Sequence, residues 1–352
     1  MQIDILELFS GIGGFTKGFE EAGYKIKNHN FSEIDKHAIA NYKYNFPNAK
    51  SIGSVTDVRA IERPDVITFG SPCQDFSLAG KRAGMGGNRS SLITEAIRLV
   101  TEIRPTVFIW ENVKGTFSSN NGEDFWAIIA AFANIGGYRL EWQLLNTSWF
   151  LPQNRERIYL VGHLAGASEP RVFPISEASR VYNQPNEIGE KIYSNNRNAI
   201  TQQARQYSSW CGDYIKVKSA TNIGYEIAGE GDSINFSNPN SETRRGRVGN
   251  GVAQTLDTQC NQGVMLRDGR DNMSCLRAGR STEIGYSGKS IRRLTEIECE
   301  RLQGFPDDWT KFGNYDGIIK EIPKTQRYKM CGNAVTVAVV KAIAERLKLN
   351  IA

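Results

Sequence analysis

Apolar residues along the first half of the chain come in short bursts, each followed by a turn and then by helical spacing. The run IDILELF at 3–9 predicts a strand, SGIGGF behind it a glycine turn, and the next residues a helix to about 22. A strand at 26–31 and a helix at 36–44 repeat the unit. VITFGS at 66–71, a helix at 92–103, VFIWEN at 107–112, a helix at 125–133 and strands at 142–146 and 157–162 continue it. Strands that alternate with helices predict an α/β fold around a mostly parallel sheet covered on both faces.

The pattern breaks after about residue 164. From there to about 287 the chain is rich in Asn, Gly, Ser, Gln and Thr, with weak helical periodicity and β-formers scattered between turn residues. This predicts a smaller, irregular β-rich domain. Order returns at LTEIECERLQGFP, where Thr295 is an expected N-cap with Glu298 three residues on, and Gly304 and Pro306 supply a stop. A last helix at 334–347 carries Val335, Val339, Val340, Ile343 and Leu347 on one wide face and should pack back on the core. The expected division is therefore 1–164 completed by 327–352, with 165–326 as the second domain.

At 352 residues, 40% hydrophobic and 23% charged, the chain has the makeup of a soluble globular protein with ample core. No apolar run reaches the roughly 20 residues of a membrane span, and the first residues lack the character of a signal peptide. A cytoplasmic location without membrane contact is the expectation. The net charge of +5 permits a polyanionic partner without requiring one. Cys73, Cys211, Cys260, Cys275, Cys299 and Cys331 are widely spaced, and the histidines are His29, His37 and His163. That set predicts neither a metal site nor a disulfide framework.

Three local patterns carry chemistry. Glycines between a strand and a helix (Gly11, Gly13) let a ligand approach the backbone, and Glu33 at the end of the second strand is placed to accept ribose hydroxyls. Together they favour a nucleoside cofactor and leave NAD, FAD and S-adenosylmethionine open. Cys73 lies in FGSPCQDFS, between the Gly70–Pro72 turn and the polar Gln74 and Ser77. It is either a nucleophile or a small buried apolar residue. Glu111 closes VFIW at the carboxyl edge of the sheet. There it is either a general acid or a salt-bridged strand end.

Taken together, these stretches resemble the C5-cytosine DNA methyltransferase family. The matching segments are FSGIGGF (9–15), SEID (32–35), SPCQDFS (71–77), ENV (111–113), QNRERIYLVG (153–162), RRLTEIECERLQGFPDDW (292–309) and GNAVTV (332–337). They occur in the family's order. Only about 165–285 lacks a strong match, where such proteins keep a variable target recognition region.

The resemblance implies a Rossmann-like methyltransferase sheet with a target recognition domain, acting on double-stranded DNA with S-adenosylmethionine. It implies that Cys73 attacks C6 of a flipped-out cytosine and Glu111 donates to N3, with Arg157 and Arg155 holding the base. Implied cofactor contacts are Phe9, Gly11, Ile12, Gly13, Glu33, Ile34, Val55, Pro72, Leu92, Asn333 and Val335. The family's Asp after the glycine is Ser54 here, so either Ser54 or Asp57 meets the adenine, with Ser54 placed first. Gln74, Ser77, Lys81, Arg82 and Arg89 are implied DNA contacts on or beside a mobile loop at 77–91. In GVAQTL, Thr255 would touch a phosphate. Arg245 and Arg247 are candidate groove readers, within clusters that include Arg244, Arg267, Arg270, Arg277 and Arg280. Monomeric action is expected, and a restriction endonuclease with the same target is a conceivable companion.

Two related readings compete with this one. The tRNA-methylating branch of the superfamily carries a Cys-Phe-Thr tripeptide, which this chain lacks. Non-catalytic DNA-binding relatives typically lose the Cys or the Glu, and both are present here. A dinucleotide oxidoreductase would leave QNRER and 292–309 unexplained.

Overall fold

The computed structural model describes residues 1–59, 61–71, 92–117, 119–176, 215–229, 231–237, 243–266 and 290–350. The first half runs β1 (Gln2–Leu8), α1 (Gly14–Glu21), β2 (Lys25–Ser32), α2 (Lys36–Asn45), β3 (Lys50–Ser51), β4 (Val66–Gly70) and α3 (Leu92–Ile103). It continues through β5 (Val107–Val113), α4 (Glu123–Asn134), β6 (Tyr138–Asn146), β7 (Gln153–Asn154) and β8 (Glu156–Leu164). Seven strands form one sheet in the order β3-β2-β1-β4-β5-β8-β6. The pairings from β3 to β5 are parallel, whereas β8 runs antiparallel to both β5 and β6. The connection from β6 to β8 is too short for a crossover helix, so these neighbours must run antiparallel.

Both sheet faces are buried, as a parallel sheet requires. On one, Ile3, Ile5, Val66, Val107, Ile109 and Val161 meet Phe15 and Phe19 of α1 and the apolar face of the last helix. On the other, Leu6, Leu8, Ile67, Phe69, Phe108, Trp110 and Leu160 meet α3 and α4. Each such aliphatic or aromatic side chain contributes about 1.5–3 kcal/mol by burial.

The later part holds short strands: β9 (Ser168–Glu169), β10 (Ile215–Lys218), β11 (Tyr225–Ala228), β12 (Ser233–Asn235), β13 (Val248–Gly249), β14 (Ala253–Gln254), β15 (Gln262–Leu266) and β16 (Ser290–Arg293). Strands β13-β12-β15-β16 make an antiparallel sheet, and β14 adds in parallel to β7. The short-strand, turn-rich reading of this region is borne out as a fold feature. α5 (Glu296–Leu302) begins with the expected capping box between Thr295 and Glu298.

Two features differ from the sequence reading. The helix expected at 334–347 is present as the shorter α7 (Val337–Ala344), and a helix that was not expected, α6 (Lys324–Asn333), comes directly before it. Ala334 between them is extended. The break is held from outside. Arg155 donates to the Gly332 and Ala334 carbonyls, and Gln303 donates to Cys331 O while its own carbonyl receives Val337 N. The hairpin β17 (Phe312–Tyr315) and β18 (Ile318–Glu321) was not foreseen either. It docks on α2, where Asn41 Nδ2 donates to Trp309 O at 2.8 Å and to Phe312 O at 2.9 Å, and His37 Nδ1 lies 2.7 Å from Tyr315 OH. The sequence division assigned these residues to the smaller domain, yet their bonds run to the larger sheet's helices.

Candidate active site

The carboxyl ends of β1, β2, β4 and β5 lie side by side, because the sheet is parallel there. After β1 the backbone turns through left-handed conformations at Phe9 (φ 51°), Gly11 (φ 53°) and Gly13 (φ 82°). A Cβ on Gly13 would lie 2.4 Å from the Phe46 ring, and one on Gly14 would lie 2.6 Å from Val335, so both glycines are required by packing. Glu33 reaches across this turn. One carboxylate oxygen accepts Gly11 N at 2.8 Å; the other accepts Ile34 N at 2.8 Å and Asp35 N at 2.9 Å. Ile34 beside it is 76% exposed, an apolar side chain left open at the rim of the cleft.

Ser32 Oγ donates to Gly53 O at 2.7 Å and so ties the next loop to the end of β2. In that loop Val55 is buried and Ser54 Oγ lies 2.9 Å from Thr56 Oγ1, while Asp57 is exposed and accepts from Thr56. Ile12 is buried and its carbonyl accepts Trp309 Nε1. Asn333 is exposed beside Val335, which packs on Gly14. Leu92 is half-buried at the start of α3.

Beneath the glycine turn, Glu7 of β1 is 1% exposed. It accepts from Phe15 N, Thr16 N, Thr16 Oγ1 and Tyr42 OH at 3.3, 3.2, 2.6 and 2.8 Å. His29 Nε2 lies 2.8 Å from the same Tyr42 hydroxyl. Burial raises the Glu7 pKa to about 7 against these hydrogen bonds, and burial lowers His29 to about 4. A carboxyl raised in the fold stabilises it at low pH and loses that contribution as pH rises through 7. A depressed imidazole loses stability as pH falls through 4. The two slopes oppose each other between about pH 5 and 6.5. Glu7→Gln removes only the falling one. Relative to the parent, the variant should gain about 2 kcal/mol between pH 5 and pH 7. Urea unfolding at the two pH values measures this; equal differences at both would show that Glu7 does not bind its proton in this range.

At the next strand ends, Trp110 Nε1 donates to Ser71 Oγ at 3.1 Å, and Asn112 Nδ2 reaches Ser71 O and Oγ at 3.3 and 3.2 Å. The residue two before Cys73 is thus clamped to β5. Glu111, 8% exposed, lies over the end of β4: a Cβ on Gly70 would be 3.1 Å from its Oε2. Its Oε1 lies 3.0 Å from Arg157 Nε, an ion pair without hydrogen-bond alignment. Arg157 also donates to Glu156 O, and Glu156 pairs with Lys114 at 2.7 Å. A cavity of about 290 Å³ opens here, lined by Val113, Lys114, Gly115, Asn154, Glu156, Arg157 and Thr255. Thr255 arrives from the smaller sheets' side through the β14–β7 pairing, and its Oγ1 donates to Asn154 O at 2.9 Å.

The family model for C-5 cytosine-specific DNA methylase matches residues 3–349. The chain belongs to that family. It is 31% identical to the type II methyltransferase M.NlaX of Neisseria lactamica over 98% of this chain and 96% of that one. It is 29% identical to the type II methyltransferase M.Bsp6I of Bacillus sp. (strain RFL6) over 98% of both. Among solved structures, the S. pombe Dnmt2 methyltransferase shares the fold at a TM-score of 0.58 and 17% identity, over 97% of this chain and 96% of that one. As a member of the C-5 cytosine-specific DNA methylases, the chain is a DNA cytosine-C5 methyltransferase of α/β fold, and the family uses S-adenosylmethionine.

Among the described residues, most of those expected for this methylase's site fall into three groups. Phe9, Gly11, Ile12, Gly13, Glu33, Ile34, Ser54, Val55, Asn333 and Val335 gather around the glycine turn, while Arg157 and Thr255 line the cavity and Glu111 pairs with Arg157. Pro72, Cys73, Gln74, Ser77, Lys81, Arg82 and Arg89 lie outside the described residues, as do Arg267, Arg270, Arg277 and Arg280. The third group sits elsewhere than expected. Arg155 is 3% exposed and its terminal nitrogens donate to Gly332 O and Ala334 O, so it faces the α6–α7 break and not a bound base. Arg247 is 2% exposed, with its guanidinium on the Asn235, Ser237 and Lys218 carbonyls, and presents nothing to a DNA groove. Arg245 donates to Ala220 O from an exposed position.

Gln153 went unnoticed in the sequence. Fully buried, it donates to Leu302 O and accepts Leu256 N, which ties the residue after Thr255 and the end of α5 to β7. Its place at the head of QNRER was the available signal. Among the described residues no cluster could hold a metal, and no helix is long and apolar enough to cross a membrane.

Proposed function

We propose that the chain methylates C5 of a flipped-out cytosine in one short double-stranded DNA sequence, through addition of Cys73 to C6. The observation that supports this most is the Glu111 carboxylate lying over Gly70 and beside Arg157, at the strand end that leads into Pro72 and Cys73. Thiolate addition at C6 breaks the ring's aromaticity and gives C5 enamine character. Protonated Glu111 donates to N3 and relieves the charge that develops there. Arg157 orients both the carboxyl group and the base. When bound, S-adenosylmethionine supplies an electrophilic methyl group to C5. A base then removes the C5 proton, the Cys73–C6 bond breaks, and aromaticity returns.

The cleft fits that cofactor. Glu33 offers a carboxylate where a ribose would lie, and exposed Ile34 and the loop at Ser54–Val55 would flank an adenine. Phe9, Gly11, Ile12 and Gly13 would shape the methionine end, with Pro72, Leu92, Asn333 and Val335 completing the wall. In this reading 1–164 with the β17–β18 hairpin and 327–352 form the catalytic lobe and the short-stranded part of 165–326 the recognition lobe, with DNA between them. Gln74, Ser77, Lys81, Arg82, Arg89 and Arg245 meet the DNA, and Thr255 a phosphate. Flipping the base requires a few kcal/mol, which closure of 77–91 over the duplex offsets. The protein acts as a monomer in the cytoplasm.

Expression in cells that lack other cytosine methylation tests the reading. Nucleoside mass analysis should find 5-methylcytosine in DNA, and bisulfite sequencing should place it in one short motif. Methylation confined to cellular RNA would overturn the DNA assignment.

A further inference from the structure

The arginines expected to read bases leave the recognition question open, since Arg247 is buried and Arg245 holds a carbonyl. A different surface begins two residues along the chain from Thr255 of the catalytic cavity. Phe236, Ser237, Asp257, Thr258, Gln259 and Asn261 line a polar groove of about 380 Å³. Thr258 and Gln259 are exposed on it. From these observations, and resting on the function proposed above, we infer that Gln259, supported by Thr258, reads the edge of a purine within about four base pairs of the target cytosine.

Distance sets the first constraint. Gln259 follows Thr255 by four residues, and Thr255 lines the catalytic cavity beside Arg157. Four residues span at most ~14 Å, and successive base pairs are about 3.4 Å apart. The groove therefore falls within a short target site and not on distant flanking DNA.

Rigidity is the second. The Asp257 carboxylate accepts Gln259 N, Asn261 N and Asn261 Nδ2 at 3.0 Å each and Ser237 Oγ at 3.3 Å. Cys260, buried behind the loop, is held at φ 50°, a left-handed conformation that a side chain other than glycine's rarely adopts. Its carbonyl accepts Arg293 Nε at 2.8 Å and its N–H reaches Asp257 O at 3.2 Å. Gly332 of α6 comes so close that a Cβ there would lie 2.6 Å from Asp257 O. A loop fixed from several elements keeps its exposed side chains in register, which base readout demands.

Chemistry is the third. Gln259 Oε1 receives one long bond, 3.3 Å from Asn261 Nδ2, and its amide nitrogen has no partner among the described residues. A glutamine amide donates to N7, an acceptor that both purines present in the major groove, and with adenine it also accepts from N6. The bond from Asn261 is weak enough to be exchanged on binding. The Thr258 hydroxyl beside it can add a second contact.

The test uses the purified full chain on synthetic duplexes carrying the mapped motif and every single-base change within four pairs of the cytosine. Specificity is read as kcat/KM, with cofactor Kd as a control. Gln259→Ala should lose about 10- to 100-fold of the preference for a purine at one position and keep its discrimination elsewhere. Gln259→Glu should move the preference there toward cytosine, whose N4 is a donor. A uniform loss of rate with unchanged preferences in both variants, or preferences retained within twofold, would overturn the inference. No methylation of any duplex by the parent chain would instead overturn the function on which it rests.

Discussion

Cys73→Ala should leave no measurable methyl transfer, a fall of at least about 10⁴-fold, while S-adenosylmethionine and DNA still bind. The size of the effect follows from the reactivity of the ring. C5 of cytosine is not nucleophilic until a group adds at C6, and no water in a closed site replaces a positioned thiolate. The fold prepares that position. Trp110 and Asn112 hold Ser71 at the end of β4, so the chain enters Pro72 and Cys73 from a fixed point. The glycine turn proposed to hold the cofactor is built from β1, β2 and the loop after β3, none of which the substitution touches. Transfer of labelled methyl groups measures the first half of the expectation, and a gel shift with cofactor titration measures the second. Turnover above a trace would remove Cys73 as nucleophile. Loss of DNA binding together with activity would show instead that the residue has a structural part.

Much of this was legible in the sequence, for identifiable reasons. IDILELF, VITFGS and VFIWEN are continuous apolar runs because both faces of the sheet are covered, and such runs stand out without any knowledge of partners. The Thr295–Glu298 capping box is local and was readable for the same reason. Helix α6 was not, because KTQRYKMCGN carries no apolar face, and the extended Ala334 that separates it from α7 is held by Arg155 and Gln303 from distant segments. The β17–β18 hairpin escaped because Ile318 and Ile319 are exposed and give no alternation.

The family resemblance set Arg155 on the base and the arginine cluster set Arg247 in a groove, and the fold buries both. An arginine in a polar loop reads as a ligand for phosphate or base, yet a guanidinium can instead satisfy several carbonyls at once. Which of these happens depends on backbone turns that only the folded chain defines. Gln153 is the converse case. A neutral amide in a strong motif attracts no attention, although it joins β7 to Leu256 and to the end of α5.

Glu111→Gln separates the proton donor from the scaffold around it. The variant should lose about 10²–10⁴ in kcat, with cofactor Kd little changed, because Glu111 lies on β5 away from the glycine turn. Gln keeps the shape over Gly70 but cannot give N3 a proton, so charge builds in the ring as Cys73 adds. A structural cost accompanies this. Arg157, with its side chain 14% exposed, loses its counter-charge 3.0 Å away but keeps its bond to Glu156 O, and the loss of one partner at a partly buried donor destabilises by about 1–3 kcal/mol. That loss lowers the unfolding midpoint but leaves most molecules folded at 25 °C, so it does not explain a rate effect of the expected size. Exchange of the C5 hydrogen with solvent adds a readout that a purely structural role would not move. Addition at C6 makes C5 carbanionic, so exchange reports the addition step directly. The variant should exchange far more slowly than the parent at equal DNA occupancy. Parent-like exchange with impaired methylation would place Glu111 after addition, and a loss in kcat under about tenfold would move the N3 contact to another group.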